Sequence, residues 1–109
     1  MANTANLDVA KSLIGAARTP TFQCNHVVNQ VLTGNKDGKL AKEYLKYGMQ
    51  IHFPVPGAVV VGVDGKHVGI FISTTQFIHS SSSRMEVVVA GMDQLKYVFR
   101  EGWEIRIAD

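Results

Sequence analysis

Only one cysteine, Cys24, occurs in 109 residues, so no internal disulfide can form. Without a second thiol, the four scattered histidines lack the spacing of a structural zinc site, and neither metal nor cofactor is expected. Charge of one sign is scarce too. Eleven Lys and Arg against nine Asp and Glu leave a net charge of +2, with no dense basic stripe to neutralise phosphates, which argues against a nucleic-acid partner. Long apolar runs are also missing. Asp8, Lys11 and Arg18 break up the first apolar stretch, so no signal-peptide core, membrane span or membrane partner is expected.

What the chain does have is 46% hydrophobic residues, enough for one core, and a single domain over residues 1–109 is expected. Leu7, Val9, Ala10, Leu13, Ile14 and Ala17 recur at three-to-four spacing. They predict a helix from Leu7 to Ala17, capped by Asn6 and ended by Thr19-Pro20. Val27, Val28, Val31 and Leu32 form one inward stripe on a second helix that stops before Gly34 and carries Cys24 in its first turn. The N-K-D-G signal at Asn35 opens a charged stretch to Gly48 that reads as a peripheral helix.

Pro54 and Pro56 mark a loop, after which the pattern changes period. Ala58-Val63, the Asp64-Gly65 turn and Lys66-Ile72 form the clearest hairpin signal. Strands near Gln76-Ser80 and Met85-Val89, a short helix near Met92-Phe99 and a last strand at Trp103-Ile107 complete the reading. Helices followed by an antiparallel sheet define an α+β class, with the N-terminal helices packed on the sheet.

A thiol attacks carbonyls as thiolate, and the first turn of a helix favours that anion through unpaired backbone donors. Cys24 has that address, although a lone cysteine beside Val27 and Val28 also suits a core. His67 and His79, each at the edge of a predicted strand, offer the base and the orienting group that such a thiol needs. Their separation is even. If the chain reverses around Ser73, they share a face and stand opposite each other; a two-residue Thr74-Thr75 loop instead sets His79 opposite Ile70, on the other face. Gly69 marks a close backbone approach beside His67, or room for Cys24 or a substrate.

The blocks F-Q-C-N-H-V-V, P-G-A-V-V-V, H-V-G-I-F-I-S and F-I-H-S-S-S, over roughly residues 10 to 83, resemble the successive motifs of the NlpC-type cell-wall cysteine peptidases. The resemblance implies a papain-like fold in which Cys24 attacks an amide carbonyl, His67 takes its proton and His79 holds the tautomer. It implies peptide stems of peptidoglycan as the substrate and partner. Gln23 and Asn25 stand where that family usually has Asp and Ser, and the Tyr-x-Trp-Gly-Gly-like segment is absent from Arg18-Thr19-Pro20-Thr21. Gln23 also resembles the residue before the cysteine in CHAP amidases, where its amide is an oxyanion candidate.

Small size and the reduced recognition segment suggest a secreted antibacterial effector that acts at the cell wall or in the periplasm. It would be delivered by a signal-peptide-independent route and countered by a cognate immunity protein. The competing expectations are a catalytically inactive binding module and, within enzymes, acyl transfer on lipids. His26 is expected to point away from Cys24 as a polar contact, and His52 to be an exposed loop residue. Ser80-Ser83 read as a loop at the rim of the groove, and Trp103, Tyr97 and Phe99 as core aromatics.

Overall fold

The computed structural model describes residues 5–109, and the polar start of the chain, residues 1–4, lies outside them. Helix α1, Leu7–Ser12, begins where Asn6 Oδ1 accepts the Val9 N–H at 3.2 Å. It ends earlier than its apolar spacing predicts. From Gly15 the backbone leaves the helix to bond the edge of the sheet: Gly15 N–H donates to Val87 O at 2.8 Å and Arg18 N–H to Met85 O at 2.9 Å. Inter-strand bonding outcompetes local helix propensity there.

Helix α2, Cys24–Thr33, carries the inward stripe as expected, with Val27, Val28 and Val31 at most 1% exposed. Full burial of each contributes about 1.5–3 kcal/mol. Gly34 closes the helix in the left-handed region, with φ of 80°. The stretch after it is not the long peripheral helix read from the sequence. It is irregular up to a 3₁₀ helix at Ala41–Lys46, because Asn29 captures it: the Asn29 amide donates to Lys36 O and Lys39 O, both at 3.0 Å, and Tyr44 donates its hydroxyl proton to Asn29 Oδ1.

Six strands follow: β1 Met49–Ile51, β2 Val59–Gly62, β3 Val68–Phe71, β4 Gln76–Ser81, β5 Glu86–Gly91 and β6 Trp103–Ile107. They form one antiparallel sheet in the order β1-β6-β2-β3-β4-β5. β1 is a three-residue strand that was not expected; it is held at the edge by β6. Between β5 and β6 a 3₁₀ turn, Met92–Gln94, runs into α3, Leu95–Val98.

Side-chain alternation gives the sheet two buried faces. Val59, Val61, Val68, Ile70, Ile78 and Val87 pack with Cys24, Val27, Val28 and Val31 on the α2 side. Ala58, Val60, Phe71, Phe77, Leu95 and Phe99 form the core on the α3 side. This is the α+β fold that the sequence predicts, with α1 and α2 on one face of an antiparallel sheet.

Candidate active site

The β2–β3 turn delivers His67 to the end of the sheet. Val61 pairs with Val68, Gly62 N–H bonds His67 O at 3.0 Å, and Gly65 turns the chain at φ of +73°, as the Asp64-Gly65 signal predicts. The next hairpin settles the register. Ile70 pairs with Ile78 and Phe71 with Phe77, which matches neither expected alternative. Continued one step along the sheet, that register sets Gly69 opposite His79, with His67 on the same face as its diagonal neighbour.

The diagonal placement still brings the rings together, with His67 Nε2 2.8 Å from His79 Nδ1 and the ring planes 86° apart. Phe99 lies 5.5 Å from His67 and Phe77 5.6 Å from His79, centroid to centroid, so apolar rings wall in the pair. Burial is the main cause lowering both pKa values. Burial, then the neighbouring His79, then the Arg18 charge push His67 down to about 3, against a smaller opposing pull from Asp64. Burial and Arg18 push His79 down to about 4. Both shifts favour the neutral imidazoles, and the 2.8 Å contact lets either ring nitrogen donate to the other according to the tautomer.

Cys24 is the first residue of α2, as expected, and it is 5% exposed. It packs with the valines of the α2 face, whereas the imidazoles sit on the face of Phe77 and Phe99. Among the described residues no hydrogen bond joins Cys24 Sγ to either imidazole. The structure thus brings the two histidines together, and Cys24 stands at the start of α2. Gln23 is the N-cap of α2, and its side-chain amide, the oxyanion candidate, donates to Pro20 O at 3.0 Å. His26 accepts the Gln23 backbone N–H on Nδ1 at 2.8 Å, the polar contact expected of it, and His52 is exposed.

A groove of about 760 Å³ opens over the imidazole pair and is also lined by Arg18, Lys66, Arg84 and Arg100. Sequence reading missed Arg18 as a groove residue, because only pairing of its segment with β5 carries it there. The serine run divides differently from the expected loop. Ser80 and Ser81 are buried within β4, Ser82 and Ser83 are exposed in the following turn, and the buried Ser80 Oγ has no hydrogen-bond partner. Of the three aromatics read as core, only Phe99 is buried; Tyr97 is 67% and Trp103 38% exposed. Among the described residues no three His, Cys, Asp or Glu side chains gather as metal ligands do, and no helix is long and apolar enough to cross a membrane.

The fold is that of NlpC proteins. NlpC2 from Trichomonas vaginalis superposes with a TM-score of 0.72 at 16% identity, over 92% of this chain and 44% of that one. NlpC1 from the same organism gives 0.71 at 17% identity, over 94% of this chain and 43% of that one. The chain thus spans less than half the length of these two structures. No protein-family model and no curated protein matches the sequence.

Proposed function

We propose that the protein is a cysteine peptidase or amidase that cleaves an amide bond in peptidoglycan stem peptides. Cys24 is the nucleophile, His67 the base and His79 the orienting group. The observation that carries this reading is the His67 Nε2–His79 Nδ1 contact at 2.8 Å beneath an open groove. For His67 to present a lone pair at Nδ1, its proton must sit on Nε2 and be donated to His79 Nδ1, and the contact has the right atoms for that. As Cys24 sulfur bonds the carbonyl carbon, its proton passes to His67 Nδ1; His67 then returns it to the leaving amine, and water hydrolyses the thioester. Burial and the neighbouring His79 lower the His67 pKa, which favours the neutral imidazole that can accept the thiol proton.

The step requires Cys24 Sγ, at the start of α2, to stand within hydrogen-bond reach of Nδ1 of His67, just before β3. A setting at the cell wall or periplasm, a signal-peptide-independent route as a secreted antibacterial effector and a cognate immunity protein belong to the same proposal. His79 as third residue favours the NlpC type over the CHAP type.

The second reading, a catalytically inactive NlpC-like binding module, is favoured by the burial of Cys24 and its lack of a bond to the imidazoles. Digestion of purified peptidoglycan by the native protein and by Cys24→Ala, with mass analysis of the fragments, decides between them. Release of cleaved stem peptides by the native protein alone supports the hydrolase. Intact peptidoglycan with both proteins, together with a Cys24 that resists iodoacetamide in the folded state, supports the binding module.

A further inference from the structure

Arg18 is held from two sides. Its backbone N–H donates to Met85 O at 2.9 Å, and its Nη1 donates to Ser80 O at 2.6 Å, on the strand residue next to His79. The guanidinium is thus fixed beside the imidazole pair, and its charge reaches both rings. The ion pairs among the described residues are Lys36–Asp37 and Arg106–Glu104, so Arg18 faces the groove with no carboxylate of the protein against it. Its Nε and Nη2 make no hydrogen bond among the described residues.

A half-buried guanidinium, held at one nitrogen and open at the others, matches a planar carboxylate with two oxygens. The groove around it has surplus positive charge, with Lys66, Arg84 and Arg100 against Asp64 and Glu101. We propose that Arg18 is the specificity-determining residue of the groove, seating a free carboxylate of the bound peptide next to the imidazole pair. It takes the recognition role left open by the missing upstream segment. The identity of the occupant rests on the function proposed above; the anion preference rests on Arg18 itself.

The test is calorimetric and needs no turnover. A peptidoglycan stem tetrapeptide and the same peptide with its carboxylates amidated are titrated into the full chain carrying Cys24→Ala. The acid is expected to bind about tenfold or more tightly than the amide, with the preference lost in Arg18→Gln and partly kept in Arg18→Lys. Inorganic phosphate is expected to compete only weakly. Equal affinity for the two peptides, no binding of the acid, a preference that survives Arg18→Gln, or phosphate that matches the acid peptide would each overturn the assignment. The acid-against-amide comparison without any change at Arg18 keeps the proposal testable even if Arg18→Gln unfolds. Carboxylate-dependent binding without cleavage by the native protein would remove the hydrolase reading and leave this one standing; cleavage without an acid preference would do the reverse.

Discussion

His67 Nε2 and His79 Nδ1 meet at 2.8 Å although their backbones do not stand opposite each other. The residue across from His79 is Gly69. A Cβ there would lie 2.7 Å from Ile78 O and 3.3 Å from His79 Cβ, so β4 comes close over the glycine and His79 leans diagonally toward His67.

Gly69→Ala therefore forces β3 and β4 apart where the imidazoles meet. The expected cost is about 1–3 kcal/mol of stability, from overpacking against backbone that cannot yield. The urea midpoint of unfolding measures it. An unchanged midpoint would show that the close approach is not needed.

If the protein is the proposed hydrolase, His79→Ala is expected to lower kcat on peptidoglycan by about 10²–10⁴-fold with little change in KM, because the proposed base His67 loses the partner that holds its tautomer. His79→Asn, which keeps an acceptor at the strand position, should retain more activity than His79→Ala. Equal loss in both would count against an orienting role.

The two lowered pKa values set a direction for stability against pH. Unfolded histidines titrate near 6.5, while in the folded protein His67 and His79 do so at about 3 and 4, so below pH 6.5 the unfolded chain binds more protons. Stability contributed by this pair is therefore full above pH 6.5 and falls as the pH drops toward 4. Thermal unfolding at pH 7 and pH 4.5 measures the loss, and His67→Gln with His79→Gln should flatten the difference. A double variant with an unchanged pH slope would assign the acid sensitivity to other groups.

Tyr44→Phe leaves Asn29 Oδ1 without its donor at a site where Tyr44 is 1% and Asn29 3% exposed. An unsatisfied buried acceptor costs about 1–3 kcal/mol. Asn29→Ala should cost at least as much, because it also frees Lys36 O and Lys39 O and loosens the segment between α2 and the 3₁₀ helix. Proteolysis of that segment reports the second effect.

The elements legible in the sequence are those whose causes are local. The α2 stripe, its Gly34 stop, the Asp64-Gly65 hairpin and the Trp103–Ile107 strand all appear as read, because side-chain period and turn chemistry act over a few residues. The β3–β4 register was not legible. Ser73 Oγ accepts from Thr75 N at 3.2 Å and Gln76 N at 3.1 Å while Ile72 N–H bonds Gln76 O, a turn that neither simple hairpin pattern anticipates.

By itself, the sequence determined the α+β class and the placement of Cys24 at a helix start, because a 3.6-residue period and a 2-residue period are properties of the chain alone, whereas the shared face of His67 and His79 awaited the β3–β4 register. Tertiary structure decided how far the imidazoles stand from direct opposition, the early end of α1, the addition of β1 and the arrival of Arg18 beside the groove. It also decided that Cys24 rests among valines of the α2 face while the imidazoles rest among the phenylalanines of the other. Each of these depends on hydrogen bonds and packing between segments far apart in the chain, whose strength no local pattern records.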